Sequence, residues 1–299
     1  MTREDREFLI KKYHKEFDGI RKSTFIKTLI VGLIIFFSIL GGVILSSWII
    51  FAIGTAVTIV LYLILNIAGS SSEIDSINDK VKNELIHPYI SNILTNCSYN
   101  RLEHHDLEEI VETNFFKNWL KKSHFEGKGQ FNYSEENYKL KISELDIKSL
   151  RPSLLFTAHF NFNLSKTEIL ITPEDLTIRP RFPTEDEQGD NYALFFNRAL
   201  SHTIELPGNQ KFKVSTNSLH DYDRAYLEQT QALAVDVSKQ LTYKSKVFVS
   251  VRSNRLNIFI LNSEIFNIDI GKSIRQQNYG QNFYGLTQVI KTYLDSLAQ

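Results

Sequence analysis

One cysteine in 299 residues, Cys97, leaves no intrachain disulfide framework and no multi-cysteine zinc site, a usage that suits a reducing compartment. Surplus charge of either sign is missing as well: 34 Lys and Arg face 34 Asp and Glu, and the isoelectric point lies near 7.1. The basic surface by which most proteins hold nucleic acid is thereby excluded. GxSxG and HExxH do not occur. Gly271-Lys272-Ser273 ends like a phosphate-binding loop, but the glycine required five residues earlier is Phe266, so backbone amides cannot wrap a phosphate there. Neither an internal repeat nor a low-complexity tract is found. These absences point to no catalytic residue, no cofactor and no metal-ligand set. Apolar substance is plentiful: 42% of residues are hydrophobic and 12% aromatic, with 21 Phe and 13 Tyr. A chain of this length and composition buries a real core and is expected to form two structural units.

Residues 28–72 run 45 positions without a charge. As helix the run would extend about 68 Å, twice a hydrocarbon core of roughly 30 Å, which is enough for two spans and too little for three. A reversal at Gly41-Gly42 would leave Thr28–Leu40 about 20 Å long, too short to cross. Ser46-Ser47 is the better turn, giving spans Thr28–Leu45 and Trp48–Ala68 with Trp48 in the interfacial belt. Ser38, Gly42 and Ser46 recur every fourth residue, a small-residue stripe that admits a second backbone, with Ala52 and Ala56 as the expected matching face. The plain alternative is small residues facing lipid. A cleaved signal peptide would need a leader of 27 residues and an apolar part roughly three times the usual length.

The flanks set orientation. Residues 1–27 carry eight Lys or Arg against five Asp or Glu, and the turn carries none, so the positive-inside bias keeps the N-terminus in the cytoplasm. Two spans return residues 69–299 to the same side. The expected location is therefore the inner membrane of a bacterium with both termini cytoplasmic. The leader reads as an amphipathic helix beginning at the capping pattern Thr2-x-x-Asp5, with Phe8, Leu9, Tyr13, Phe17 and Ile20 along one stripe. It either lies on the inner leaflet or packs on the soluble domain.

Gly69-Ser70-Ser71-Ser72 reads as a linker. Residues 73–96 read as helix with a break at Pro88, and a second helix starts at Asp106, capped with Glu109, and runs to Leu120. Beyond Gly127-Lys128-Gly129 the period changes to two: Phe156, Ala158, Phe160, Phe162 and Leu164 alternate with Thr157, His159, Asn161 and Asn163, the pattern of a strand with one buried face. Similar alternation marks 138–142, 167–172, 202–206, 211–216, 246–251 and 255–261, the last two joined by a tight hairpin at Arg252–Arg255. Helices are expected over Arg224–Leu241 and 282–298. The fold class is α+β: an N-terminal helix and transmembrane helical hairpin followed by a cytoplasmic, mostly antiparallel β domain with flanking helices. Its divisions are a leader at 1–27, a hairpin at 28–68, a helical connection at 69–126 and the β-rich domain at 127–299. A small barrel with a capping helix, of the pleckstrin-homology kind, fits the same string by analogy.

The order of basic leader, hairpin, short helices and β-rich region, with LLFTAHFNFNLSKTEILITPED, KFKVSTNSLHDYDRAYLEQTQALAVDVSKQL and KVFVSVRSNRLNIFI, resembles the bacterial domain-of-unknown-function 3137 family over roughly residues 75–298. The resemblance implies a bacterial membrane protein and supplies no functional residues. The polar insert RPRFPTEDEQGDNY at 179–192 departs from that pattern.

Glu103, His104, His105, Asp106, Glu108 and Glu109 are the densest metal-capable set, but adjacent histidines diverge and Asp106 is better used as a cap. Ser218, His220, Asp221 and Asp223 gather triad residue types within one short stretch, where a turn and helix cap is the commoner use. His220, Asp221 and Asp223 are the weak catalytic candidates. His202 falls on the apolar side of its strand, and Cys97 reads as an inert thiol. Phe115, Phe116, Trp119 and Leu120 with Lys117, Lys121 and Lys122 either pack on the sheet or dip into headgroups. Residues 179–190 read as a partner-facing loop. The expected function is a membrane-tethered binding or scaffold module with a protein partner, possible self-association included. A membrane-attached hydrolase or metalloenzyme and a lipid-headgroup-binding domain are the alternatives.

Overall fold

No proline precedes Pro88 in this chain, so nothing forces a break in its first eighty-odd residues. In the computed structural model, helix α1 accordingly runs without interruption from Arg3 to Ile44. The structure describes residues 3–44, 48–49, 52, 54–58, 70–113, 115, 125–147, 153–173, 201–205, 211–216, 221–241, 245–261 and 281–298. It divides into two compact units, Met1–Leu85 with Asn267–Gln277, and Ile86–Phe266 with Asn278–Gln299.

In the first unit the expected leader and first span are one helix of 42 residues, about 63 Å long. The backbone does not change at Lys27, which marks a change of composition within one helix. Covered positions of α1 recur at spacings of four and three, at Arg6, Ile10, Tyr13, Phe17 and Ile20 (with Leu9, His14, Glu16 and Asp18 partly covered beside them), and again at Lys27, Val31, Ile34, Ser38 and Gly41. That is the 3.5-residue seam of a helix lying along a helix. Away from the seam the apolar half stays bare, with Phe25, Phe36, Phe37 and Ile44 each more than half exposed. Among the described residues, α1 is the one helix long and apolar enough to cross a membrane.

Helix α2 (Ser70–Val81) lies against the first half of α1. Lys12 meets Glu84 at 3.2 Å and Lys80 meets Glu16 at 3.9 Å, while Tyr13, Phe17, Ile77, Val81 and Leu85 are buried. Ser70–Ser72 are helical, so the expected linker is the first turn of α2. Farther along α1, Ser38 faces Gly54 so closely that a Cβ on Gly54 would overlap the serine side chain. Residues 54–58 are helical, with Thr58 buried on the same face four residues on. Ala52 and Ala56 are exposed, which corrects their expected role: two positions from Gly54, they point about 200° away around the helix. Ser46 lies outside the described residues, as does the environment of Gly42.

α2 continues into a π-helical turn over Lys82–Ile86 that ends at the boundary between the units, and the second unit then carries the short helix α3 (His87–Ile90) with Pro88 in its first turn. The expected helix over 73–96 is thus continuous through Pro88, widened into the π-helical turn just before the residue that lacks an amide donor, and it ends at Ile90. Strands follow: β1 (Ser98–Asn100), then after helix α4 (Leu107–Glu112), β2 (Phe125–Ser134), β3 (Tyr138–Ile147), β4 (Ser153–Phe160), β5 (Ser165–Pro173), β6 (Ser201–Glu205) and β7 (Lys211–Thr216). Helix α5 (Asp221–Lys239), strands β8 (Lys246–Ser253) and β9 (Arg255–Leu261) and helix α6 (Gln281–Leu297) complete it. α4 stops at Glu112, where the Thr113 hydroxyl donates to Ile110 O, rather than continuing to Leu120.

All nine strands form one antiparallel sheet in the order β1-β2-β3-β4-β9-β8-β5-β7-β6. β1 and β6 are its edges, so the described strands make an open sheet and not the closed barrel of the pleckstrin-homology analogy. The β8-β9 hairpin is inserted between β4 and β5. Its turn residues Ser253 and Asn254 accept from the amides of Leu164 and Phe160 in the β4-β5 connection. Ser253 has a φ of 54°, which closes the two-residue turn. A bulge between Gly127 and Gln130 irregularly spaces β2, and Gly129 at φ 113° leaves room for the Tyr99 ring.

The sheet is covered on both faces. α5 and α6 pack on one, where Phe283 of α6 sits 5.6 Å from Phe131 and 6.2 Å from Phe156. On the other, Phe115 follows α4 and stacks on Phe248 and Phe259 at 6.1 and 6.0 Å. Seven of the eight residues of β4 are consequently buried, His159 alone being intermediate. The expectation of one solvated face fails there: Thr157 pairs with Asn257 inside the molecule.

Candidate functional site

The densest buried polar chemistry lies between α4 and the sheet. Asp106 caps α4 with the expected reciprocal box: its carboxylate accepts from the Glu109 amide at 2.7 Å, and Glu109 accepts from the Asp106 amide at 3.3 Å. With Asp106 so engaged, the two histidines before it diverge. His104 turns to the Phe125 ring edge, and His105 is driven inward to complete burial.

His105 ends a directed hydrogen-bond chain. Asn132 Nδ2 donates to Glu103; Gln130 Nε2 donates to Asn132 Oδ1 at 2.7 Å; Ser143 Oγ donates to Gln130 Oε1 at 2.8 Å. The serine hydrogen being spent, His105 Nδ1 must donate to Ser143 Oγ at 2.7 Å, beside the His105 amide at 3.2 Å. Among the described residues, His105 Nε2 is left as a bare lone pair with no partner. A serine nucleophile needs the opposite polarity, with its hydrogen on the imidazole and its oxygen in reach of solvent. The Ser143–His105 pair has neither feature and holds structure instead.

Next to this chain a polar row crosses the sheet beneath α4. Asn257 Nδ2 donates to Ser250 Oγ at 3.1 Å, and Ser250 Oγ donates to Thr113 O at 2.8 Å. Thr157 Oγ1, in register with Asn257, is buried without a partner among the described residues. Charges close the rim: Lys141 pairs with Glu109, Arg255 with Glu112, and Arg252 with Glu168 at 2.9 Å. Burial, reinforced by the Lys141 cation and by His159, pushes His105 down to about 3. His159, half-buried beside Arg255, is also held below its ordinary value, mainly by burial.

A second polar knot ties the β2-β3 hairpin to α6. Tyr138 donates to Asp295 at 2.8 Å, and Lys291 bridges Glu135 at 3.0 Å and Asp295 at 2.8 Å. Burial and Asp295 raise the Tyr138 hydroxyl well above the usual phenol range. Between α5 and α6, the Thr230 and Tyr293 hydroxyls share a 3.0 Å bond. All of these read as packing contacts.

Of the residues singled out in the sequence, His220 and Ser218 lie outside the described residues. Asp221 and Asp223 fall in the first turn of α5. His202 pairs with Val214 on β7, and the 179–190 segment lies outside the described residues. Cys97 is buried, which pushes its thiol up to about 12. Phe115 packs on the sheet rather than meeting headgroups, while 116–120 lie outside the described residues. Among the described residues no three His, Cys, Asp or Glu side chains gather to hold a metal. Thr157, Ser250 and Asn257 escaped sequence reasoning because alternation placed them on the wet side of their strands, and Gln130 and Ser143 because no strand was read at those positions. No family model, curated protein or solved structure matches the chain.

Proposed function

We propose that the chain is a membrane-tethered binding or scaffold module of a bacterial inner membrane, held by a two-span helical hairpin with both termini in the cytoplasm. The carrying observation is the seam of α1, whose spacing of four and three over Arg6–Ile20 recurs in the same phase over Lys27–Gly41, on the other side of the change from charged to apolar composition. Contacts at both ends of that seam fit one antiparallel partner. From Lys12 to Ser38 is 26 residues, and from Gly54 to Glu84 is 30, so the returning segment matches α1 to about one helical turn. The bare apolar half of α1 suits lipid. The resemblance to the domain-of-unknown-function 3137 family points to the same setting.

For the second unit, a binding role is favoured over hydrolysis by the polarity of the Ser143–His105 pair and by the structural engagement of Asp106 and Glu109. Affinity capture tests the reading. The full chain, solubilised in mild detergent from native membranes after cross-linking, should retain one specific protein partner or a second copy of itself. Recovery of nothing beyond what an unrelated hairpin protein retains would overturn it.

A further inference from the structure

We propose that residues 103–115, the segment carrying α4, form an acid-sensitive latch: a proton on His105 releases α4 while the nine-stranded sheet stays folded. Two apolar side chains of this segment, Ile110 and Phe115, are fully buried. His104 meets the Phe125 ring edge, and the remaining holds are polar: Glu103 on Asn132, His105 on Ser143, Glu109 on Lys141, Glu112 on Arg255, and Thr113 O on Ser250. The sheet beneath sets a buried polar row, Gln130, Ser143, Thr157, Asn257 and Ser250, beside the Phe248 and Phe259 rings that hold Phe115. A face kept permanently dry gains nothing from such a row, whereas a face that is opened to water tolerates it.

His105 is where a proton acts. Its Nδ1–H is engaged by Ser143, its Nε2 has no hydrogen-bond partner among the described residues, and the ring has no exposure. Charged neighbours oppose a cation: Lys141 from β3 and His159 from β4 disfavour it, as does His104, and Asp106, the one favourable group, is spent on the cap. The closed latch therefore excludes the proton, and the ring gains it on leaving. Buried, the ring titrates at about 3; free, at about 6.5. Linkage then makes opening roughly 25-fold more favourable at about pH 5 than at about pH 7.

Hydrogen–deuterium exchange on the full chain in detergent, corrected for intrinsic rates, tests this at those two pH values. Protection over 107–112 should fall roughly 25-fold while β4 and β9 keep theirs, a comparison inside the unmodified chain. Unchanged protection of α4, or an equal loss in β4 and β9, overturns the proposal. His105→Asn keeps a donor for Ser143 and removes the titrating ring, so its α4 protection should not respond to pH; an undiminished response overturns it. His159→Asn should leave the response intact, and its disappearance there would move the trigger away from His105 and overturn the assignment.

Discussion

Replacing Thr157 by valine should stabilise the protein. Alternation along β4 puts Thr157 on the polar side, where the exchange would be neutral. The structure instead buries it to 3% exposure with its hydroxyl unpartnered among the described residues. An unsatisfied buried hydroxyl costs about 1–3 kcal/mol. Valine keeps the shape and the β-branched rotamer while deleting that cost. A gain of about 1–2 kcal/mol is expected, or about 2–8 °C in Tm for a unit of this size. Thermal melts of the full chain in detergent, followed by near-UV circular dichroism of its aromatic core, measure it. Thr157→Ala separates the terms, because it deletes the hydroxyl but leaves a void and should gain less or lose stability. A valine variant destabilised by 1 kcal/mol or so would mean that the hydroxyl has a partner, and the account of the row beneath α4 would fail.

Phe283→Ala should cost about 3–5 kcal/mol, since the ring is fully buried against Phe131 and Phe156; a melt shifted by only a degree or two would contradict the placement of α6. Tyr138→Phe leaves Asp295 with Lys291 but removes a hydrogen bond to a carboxylate, for an expected loss of about 1–3 kcal/mol by the same melts. Cys97, pushed up to about 12 by burial, should resist iodoacetamide at mildly alkaline pH until denaturant is added, and rapid labelling of the native chain by mass spectrometry would refute its burial. Gly54→Leu should weaken the first unit by about 1–3 kcal/mol in reversible detergent unfolding, whereas Ala56→Leu on the exposed face should be near neutral; equal effects would refute the Ser38–Gly54 contact.

Local patterns were legible where one physical rule acted alone. Alternation located β7 and β9 residue for residue, the cap at Asp106 and Glu109 formed as read, and the periodic apolar faces located α5 and α6 to within a few residues. Other features depend on what packs from elsewhere. Gly127 and Gly129 hide β2, whose bulge breaks the period. The nesting of the β8-β9 hairpin between β4 and β5 leaves no mark in either strand, because register is set by partners. Thr157 and Asn257 look solvated by type, and only the cover of α4 and Phe115 makes them internal. The small-residue face of the hairpin was misplaced for a similar reason. Composition identifies Ala52, Gly54 and Ala56 equally, and the rotation of the returning helix selects Gly54.

The tether is the claim on which the proposed role rests, and topology tests it most directly. Single cysteines placed at residue 5, at residue 46 and after Gln299, in a Cys97→Ser background, can be probed in intact bacteria with a membrane-impermeant thiol reagent before and after permeabilisation of the inner membrane. The account predicts labelling at 46 in intact cells and labelling of the two ends only after permeabilisation. Labelling of the C-terminal cysteine in intact cells, with the N-terminal one protected, would mean an odd number of spans and would contradict the hairpin.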